Sequence, residues 1–475
     1  MDIQRVSRRK FLKTTGMVAT ATVVGATIIE AGNVFAASPY VRRDVGTLSA
    51  SNSTITSYKK AIAAMKALPA SNPLSWTYQA AIHGTTQSGS FPAWNTCEHG
   101  TYFFFSWHRM YLWYFERIVR KLSGDANWAL PYWNYESASQ RRLPAVFRSP
   151  ASASNPLYIA NRGAGWNSGS SMLNASAVDI NVAFAEVPFN NFSNSLEGTP
   201  HGAVHVSIGG LMGSVPTAAQ DPIFWLHHCN IDRLWNSWLA QQGGRTDPLA
   251  DATWKNTKFL FFDENGKKVQ LSGCDILRAQ QQLNYVYQGE PTQVKLFCEK
   301  IKPSTPLASK NVLLRLPLQQ AIVLSSGSDP VSVDLDIRPQ RERLSSAANN
   351  NDSDLTLDFG DIEADRQPNV YYEVYAGLPK GAKPEFGSPF YIGNIALFGQ
   401  GVRDEHHRVG FRSANFSFKV NRAVAMALRQ NTNAGQLNIL FVPRGPSQSL
   451  QVEAARSAAN IRIGSISIGV QPKIK

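Results

Sequence analysis

The chain has 475 residues, 43% of them hydrophobic and 17% charged, with 47 Lys and Arg against 34 Asp and Glu and a net charge of +13. This length exceeds one ordinary hydrophobic core and the apolar content excludes a disordered protein, so we expect two globular domains. Four cysteines are too few for a disulfide-stabilised scaffold. The basic residues are scattered in short pairs and triplets, so we predict no nucleic-acid partner.

Residues 1–36 are typical of an export signal. Ser7-Arg-Arg-Lys-Phe-Leu-Lys13 precedes an apolar stretch from Met17 to Ile29, and Val34-Phe-Ala36 is a small-residue cleavage pattern. The twin arginine selects the Tat route, which predicts the Tat export machinery as a partner and a periplasmic or secreted mature protein. A membrane anchor is the alternative, but the stretch is short and rich in Thr and Gly, so we expect no stable membrane insertion.

The chain from Tyr58 to about Tyr287 has apolar residues at the spacing of α-helices. The clearest segments are residues 61–68, 76–80, 107–122 and 223–239. Loops rich in Asn, Ser, Gly and Pro separate them, as over residues 149–169. The pattern predicts a mainly helical domain over residues 37–298.

The later chain alternates apolar and polar residues between turn signals, which predicts an antiparallel β-sandwich or barrel. The predicted strands are residues 331–337, 355–359, 370–375, 390–398, 411–420, 437–442 and 461–468, and only residues 422–430 have a helical pattern. Lys300-Ile-Lys-Pro-Ser-Thr-Pro306 indicates a linker over 299–311. The predicted fold class is α+β and multidomain, a helical domain followed by an all-β sandwich over 312–475.

Histidines carry the clearest chemical signal, since seven of the nine lie in the helical half. Six of them form two groups of three in aromatic sequence: His83, His99 and His108, then His201, His205 and His228. The second group begins with a pair four residues apart, a spacing that shares one helix face. A single histidine in such a setting is more often a core residue, but two groups without solvating charged neighbours favour metal binding.

The choice of metal follows from what the two groups lack. Imidazole suits Zn, Cu, Fe and Ni. His201-Gly-Ala-Val-His205 has no Glu beside its first histidine, as a zinc protease would. Triads without a carboxylate or a cysteine pair also argue against Mg, Ca, structural Zn and the facial triad of non-haem iron. Two three-coordinate copper ions that share dioxygen fit better, with a mononuclear zinc hydrolase as a distant alternative.

Two long motifs resemble the type-3 copper proteins, the family of tyrosinases, catechol oxidases and haemocyanins. One is Asp-Pro-Ile-Phe-Trp-Leu-His-His-Cys-Asn-Ile-Asp-Arg-Leu-Trp over 221–235, and the other runs from His99 to Glu116. The resemblance implies an antiparallel four-helix bundle that holds both ions in its core. It places the first copper on His83, His99 and His108 and the second on His201, His205 and His228, and it leaves His227 unligated.

The resemblance implies a polyphenol oxidase that converts o-diphenols to o-quinones with O2 as co-substrate, with monophenol hydroxylation as a further activity of the family. Its partners would be a small phenol and O2. The alternative is a haemocyanin-like oxygen carrier. The Tat signal and the single, unrepeated unit argue against it.

Two positions beside the histidines take roles from the resemblance. Cys97 stands two residues before His99, where fungal-type members form a Cys-to-His thioether, and a buried thiol is the alternative. Glu197 matches the carboxylate that holds a water near the second copper in plant-type members, and this water deprotonates an incoming monophenol. A structural Glu is the alternative.

Three further positions bear on the substrate. Gly202 follows His201, where members with good monophenol hydroxylation often carry Asn, so the resemblance favours diphenol oxidation. Val215 matches a position at the pocket mouth where some members have a bulky Phe, so bulky phenols are expected to enter. Phe224 is expected to pack on the copper-binding imidazoles, although ordinary core packing would give the same sequence.

The remaining expectations concern domain closure. Tyr285-Val-Tyr287 resembles the tyrosine motif that closes the catalytic domain, and Asp232 is expected to pair with Arg233 or a buried arginine. Cys274 and Cys298 could form a disulfide, and His406 with His407 is expected in an exposed loop.

The β-rich half resembles the C-terminal domain that keeps plant and some bacterial polyphenol oxidases latent. In those enzymes the domain places an apolar loop side chain in the substrate pocket. The sequence does not identify that side chain.

Overall fold

The computed structural model describes residues 38–87, 91–290, 311–316, 322–325, 329–350, 352–400, 413–430, 435–445 and 459–472. All of them belong to one compact unit. The predicted signal peptide, most of the predicted linker, Cys298 and the pair His406-His407 lie outside these ranges. Within them, no helix is long and apolar enough to cross a bilayer.

Helices dominate the first part of the described chain, as the apolar spacing predicts. They are α1 (Ser53–Ala67), α2 (Trp76–His83), α3 (Phe104–Ser123), α4 (Asn181–Ala185), α5 (Phe189–Leu196), α6 (Ala203–Ile208), α7 (Val215–Ala218), α8 (Ile223–Ala240), α9 (Ala252–Asn256) and α10 (Ala279–Leu283). The long α3 packs against both α1 and α8. These contacts bury the aromatic stripe of α3 in the core of the helical domain.

Local signals fix where the main helices begin and end. The Ser75 hydroxyl accepts from the Tyr78 N–H at 3.0 Å and caps α2, which ends at His83. Helix α3 ends where Gly124 adopts a left-handed conformation, with φ of 74°. The Asp221 carboxylate accepts from the Ile223 N–H at the start of α8. These caps set the positions of the histidines along each helix.

The second half is the predicted β-sandwich. Its strands are β5 (Asn311–Leu316), β6 (Ile322–Ser325), β7 (Val331–Asp336), β8 (Ser353–Ala364), β9 (Tyr371–Ala376), β10 (Tyr391–Ile395), β11 (Ala414–Lys419), β12 (Gln436–Arg444) and β13 (Asn460–Pro472). One antiparallel sheet has the order β10-β9-β12-β7, and the other has the order β11-β8-β13-β5, with β6 also paired to β13. Phe359 and Phe441 meet edge to face at 5.6 Å across the two sheets, inside a separate hydrophobic core.

The described part of the sandwich also contains two helices, α11 (Arg341–Asn349) and α12 (Asn421–Gln430). The sequence predicted only the second, so the prediction of a single helix in this half was wrong. Helix α11 buries Leu344, and Ala347 and Ala348 pack half-buried against the same core. This stripe of one leucine and two alanines is short and only weakly apolar, which is why the pattern did not show the helix.

The helical half contains short strands that the helical spacing did not predict. Two of them form a hairpin, β2 (Lys258–Phe262) with β3 (Lys268–Ser272). The other two are β1 (Tyr40–Arg42) and β4 (Tyr285–Tyr287), which pair in parallel. The tyrosine motif therefore joins the start of the described chain to the end of the helical domain.

A buried ionic network stabilises this junction. Arg42 is fully buried and binds Glu116 at 3.1 Å and Asp232 at 3.2 Å. The hydroxyls of Tyr285 and Tyr287 each donate to Asp232 Oδ2 at 2.6 Å. Buried charges are tolerated when they are paired and fully hydrogen-bonded, as they are here.

Asp232 pairs with buried arginines, and not with Arg233. Arg109 donates to its other oxygen at 2.5 Å, while Arg233 binds Glu136. Burial alone would raise the pKa of Asp232, but Arg109 and Arg42 hold it below its ordinary value. Of the two partners expected from sequence, the buried arginine was therefore correct.

Among the cysteines, Cys274 is disulfide-bonded, whereas Cys97 and Cys229 are free thiols. The predicted partner of Cys274, Cys298, lies outside the described residues. The Cys274 to Cys298 pairing itself therefore stays a prediction.

The buried Asp247 is expected to make the free energy of unfolding depend on pH. Its side chain is buried, accepts a hydrogen bond from the Trp235 indole at 3.1 Å, and burial raises its pKa to about 7. An unfolded Asp has a pKa of about 3.9, so between pH 4 and 7 the folded state binds more protons and stability falls as the pH rises. We expect Asp247→Asn to stabilise the protein at pH 8 by about 2–4 kcal/mol, with little gain at pH 4, as measured by urea unfolding.

The exposed Asp329 provides the matched control. Asp329→Asn should leave the pH dependence of the unfolding midpoint unchanged. An Asp247→Asn protein with the same pH dependence as the unsubstituted chain would contradict the assignment.

Candidate metal centre

Seven buried or half-buried histidines converge in the core of the helical domain. Helix α2 ends on His83, and α3 carries His108 near its start. His99 lies in the loop before α3, and α8 carries His227 and His228. Three helices and one loop thus bring their histidines to one region.

The segment Glu197–Gly202 is irregular, where the sequence predicted a regular helical turn. It is a π-helical turn in which Thr199 leaves helical geometry at φ −141° and ψ 123°, next to Pro200. His201 belongs to this segment, and His205 belongs to α6. Pro200 was the available signal, because proline has no N–H and disfavours a helical residue before it. The two rings still lie together, with centroids 4.8 Å apart.

The rings of the first predicted triad lie close together. The ring centroids of His83 and His99 are 5.2 Å apart, those of His99 and His108 are 5.2 Å apart, and those of His83 and His108 are 5.7 Å apart. These rings come from a helix end, a loop and a second helix. Ligand atoms of His83, His108 and His228 lie within 4.8 Å of one another, and so do those of His83, Cys97 and His99.

The second predicted triad is adjacent to the first. The centroids of His201 and His228 are 4.9 Å apart, and those of His205 and His228 are 5.5 Å apart. His108 of the first triad stacks on His228 at 4.5 Å. The two triads therefore form one continuous cluster.

The hydrogen bonds of the rings fix which nitrogen faces the cluster. Four Nδ1 atoms lie 2.8–3.0 Å from backbone carbonyls: His83 from Val215, His108 from Phe104, His201 from Glu197 and His205 from Met212. A carbonyl only accepts, so each Nδ1 carries the proton and Nε2 presents a lone pair. This is the tautomer that a metal requires.

The buried nitrogens fit a pair of metal ions. Nε2 of His108 and of His201 are buried and have no hydrogen-bond partner among the described residues. Nε2 of His205 and of His228 lie 3.3 Å apart. Buried nitrogens without partners are costly unless a ligand satisfies them, and an all-imidazole set suits copper.

Burial keeps these imidazoles neutral. It lowers the pKa of His108 to about 3. It also lowers the pKa values of His201, His205 and His228 well below the ordinary value, and the neighbouring histidines add to the effect. A metal binds only the deprotonated ring, so the cluster is ready to bind metal at neutral pH.

The histidine that the resemblance leaves unligated lies in the same cluster. Ligand atoms of His201, His205, His227 and His228 can all lie within 4.8 Å of one another. His227 Nδ1 is 3.1 Å from the Tyr135 hydroxyl. Sequence spacing did not show that His227 points inward, because a residue beside a ligand on a helix faces about 100° away from it.

Phe224 and Val215 both contact the cluster. The Phe224 ring is 4.1 Å from that of His228 and 4.8 Å from that of His83. Val215 is buried, and its carbonyl fixes the ring of His83. Phe224 therefore packs on two imidazoles, and residue 215 positions a third through its backbone.

Glu197 is fully buried beside the second triad. The Gly100 N–H donates to Oε1 at 2.7 Å, and Oε2 has no hydrogen-bond partner among the described residues. Burial raises the pKa of Glu197 well above its ordinary value, while Gly100 and the nearby Gln400 side chain oppose the rise. A buried carboxyl group with a raised pKa is suited to accept and return a proton.

Cys97 lies beside its predicted partner. Its Sγ is 3.4 Å from His99 Nδ1. It is a free thiol, and burial raises its pKa. The thioether stays a prediction, for which the neighbouring ring is in place.

A side chain of the β-sandwich enters the histidine cluster. Phe398 is fully buried, and its ring stacks on that of His205 with centroids 3.8 Å apart and planes at 4°. It also meets His201 at 5.6 Å and His99 at 5.9 Å. Phe398 is therefore the candidate for the apolar side chain that the resemblance implies and the sequence did not identify. Its only signal was its place at the end of the predicted strand 390–398.

Family models match three successive parts of the chain. The common central domain of tyrosinase matches residues 73–168 and 159–241, and the polyphenol oxidase middle domain matches residues 248–295. A domain of unknown function (DUF7868) matches residues 317–471. The tyrosinase match includes all six predicted ligands.

Known proteins resemble the chain in sequence and in fold. A tyrosinase of Hahella sp. is 36% identical over 61% of this chain and 71% of its own length. A chloroplastic polyphenol oxidase of Malus domestica is 32% identical over 70% of this chain and 65% of its own length. The structure of latent apple tyrosinase is 26% identical, with a TM-score of 0.62, over 91% of this chain and 97% of that one.

The helical core, the sandwich and the histidine cluster agree with these likenesses. The fold of latent aurone synthase also matches, with a TM-score of 0.65 over 92% of this chain. An oxygen-carrier function is not favoured, because the relatives are oxidising enzymes. The chain belongs to the tyrosinase and polyphenol oxidase family of dicopper oxidoreductases.

Proposed function

We propose that this chain is an exported polyphenol oxidase that oxidises o-diphenols to o-quinones with O2. His83, His99 and His108 hold one copper ion, and His201, His205 and His228 hold the other. When bound, the copper pair supplies the two-electron exchange between the phenol and dioxygen. The observation that carries this proposal is the cluster of neutral imidazoles whose protonated Nδ1 atoms face backbone carbonyls.

Phe398 marks the position of the phenol ring. A parallel stack at 3.8 Å on His205 is the geometry that an aromatic substrate would adopt on the same imidazole. The surrounding aromatic side chains, Phe224 among them, exclude water from the reacting groups. The substrate is thus a small phenol that binds when Phe398 leaves.

The residues near the second triad favour diphenol over monophenol. Glu197 Oε2 can take a proton from a phenol through one bridging water. Gly202 has no side chain to orient that water. We therefore propose that the chain oxidises catechols and hydroxylates monophenols poorly.

The full chain is latent in this proposal. Phe398 occupies the substrate position, so the phenol and this ring exclude each other. A cut in the linker between residues 299 and 312 allows the sandwich to leave. The twin-arginine signal of residues 1–36 would deliver the protein to the periplasm or the exterior.

The test compares oxygen uptake on a catechol and on the matching monophenol, using copper-loaded protein cut in the linker. We expect uptake with the catechol, and little with the monophenol unless a diphenol primer is added. A strong monophenol rate without primer would refute the role of Gly202. Reversible oxygen binding without catechol oxidation would instead identify an oxygen carrier.

A further inference from the structure

Two glycines in the irregular segment Glu197–Gly202 receive side chains of the β-sandwich. A Cβ atom at Gly202 would lie 3.3 Å from the Cβ atoms of Ala396 and Phe398, and 3.3 Å from the backbone oxygen of Glu197. A Cβ atom at Gly198 would lie 2.9 Å from Cε1 of Phe416. Carbon atoms in favourable contact are about 3.5–4.0 Å apart, so an added Cβ atom would displace the Phe416 ring at Gly198 and would require a shift of a few tenths of an ångström at Gly202.

The backbone does not require glycine at Gly202. Its φ of −64° and ψ of −38° are ordinary helical angles that any residue adopts. Glycine destabilises a helix by roughly 0.5–1 kcal/mol relative to alanine. Glycine is therefore explained at this position by the absence of a side chain, and not by the backbone conformation.

A third glycine completes the contact from the sandwich side. We define the plug as residues 396–400. Within it Gly399 has a φ of +73°, and a Cβ atom there would lie 2.6 Å from Cγ of His99. Gln400 is 5% exposed and approaches Glu197. The plug thus fits between Gly202 and the first triad with no spare space on either side.

We propose that Gly198 and Gly202 are positioning residues that allow the β-sandwich to place the plug, so that the residue at 202 decides between a closed and an open substrate pocket. The proposal rests on the proposed latency of the enzyme. A side chain at 202 that reaches into the pocket and a docked plug exclude each other. Gly202 therefore allows the plug to close the pocket, and this role is separate from its proposed effect on the choice between diphenol and monophenol.

A side chain at residue 202 would disturb the docked plug because of the kind of atom that it would displace. Two of the three neighbours of Gly202 are Cβ atoms, which move only with the backbone of the plug, and the third is the backbone oxygen of Glu197. A rotamer change cannot relieve these contacts, so an added methyl group must move residues 396 and 398, or the segment that carries residue 202, by a few tenths of an ångström. Because Phe398 stacks on His205, such a shift also opens the pocket.

The experiment uses Gly202→Ala, Gly198→Ala and Gly213→Ala in the full chain. Gly213 is the matched control, because it is buried near the cluster yet has nothing within 4 Å of a Cβ atom. We measure the ratio of catechol oxidation by the intact chain to that by the linker-cut protein. We expect this ratio to rise about fivefold or more in the first two variants, as overpacking of a close contact predicts, and to stay unchanged in the control.

A second readout does not depend on activity. After the linker is cut, size-exclusion chromatography measures the fraction of sandwich that stays with the helical domain, and we expect this fraction to fall for Gly202→Ala and Gly198→Ala. Phe416→Ala removes the ring at Gly198 without altering the metal-ligand segment, so it should also raise the ratio even if a glycine variant fails to fold.

The activity ratio and the retained fraction together distinguish a failure of the docking proposal from a failure of the proposed function. Folded glycine variants that keep both the activity ratio and the retained fraction of the unsubstituted chain would overturn the role of the glycines. A lower retained fraction with no catechol oxidation in any form would support the docking role and contradict the proposed function.

Discussion

His228→Ala is expected to lower the copper content of the loaded protein below two ions per chain and to abolish catechol oxidation. His228 lies between the triads, since its ring stacks on that of His108 at 4.5 Å and its Nε2 is 3.3 Å from Nε2 of His205. Removal of one of three ligands leaves the second ion two imidazoles. Copper analysis and oxygen uptake on linker-cut protein measure the effect.

His227→Gln is the matched control, on the same helix and equally buried. Its Nδ1 faces the Tyr135 hydroxyl, so we expect this variant to keep two copper ions per chain. Loss of copper from the His227 variant and not from the His228 variant would reverse the ligand assignment on α8. Copper retained in both would refute the second triad altogether.

Phe398→Ala is expected to activate the full chain by at least about tenfold towards the rate of linker-cut protein. Truncation removes the ring that stacks on His205 and leaves an apolar space that fits the ring of a phenol. Replacing a buried Phe with Ala destabilises a protein by about 3–5 kcal/mol, so the variant should also unfold at a lower temperature. Catechol oxidation by the uncut protein measures the gain.

Phe390→Ala is the control for this loss of packing. Phe390 is 8% exposed and packs in a separate cluster with Tyr375, Leu378 and Val442. It should lose stability in the same way and remain latent. A Phe398→Ala chain that is as inactive as the Phe390→Ala chain would show that Phe398 does not close the pocket.

Much of the fold could be predicted because its patterns are periodic and local. Helices α3 and α8 have long aromatic faces, and the predicted strands of the sandwich alternate with clear turn residues. The fold class is confirmed by the structure and by its structural neighbours. The six histidines proposed as copper ligands could be singled out because most of them lie in or beside long, specific motifs, and the structure places their rings in one cluster.

The rest depends on contacts between distant segments, which no local pattern records. Phe398 lies far along the chain from His205, and nothing in its neighbours distinguishes it from other sandwich residues. The parallel pair of β1 and β4 joins three-residue strands too short for a periodic signal. The resemblance left His227 unligated, and its spacing from the ligands gives no sign that its ring lies in the cluster.

The pairing of β1 with β4 brings the two ends of the helical domain together. Tyr40 lies beside Tyr285 and Arg42 beside Tyr287. Because the strands are parallel, a joining peptide need run back only about 10 Å. The helical domain is therefore suited to circular permutation, with new termini in the exposed stretch of residues 151–154. In such a permuted enzyme the sandwich would no longer follow β4 directly, and oxidation of phenols could be studied without it.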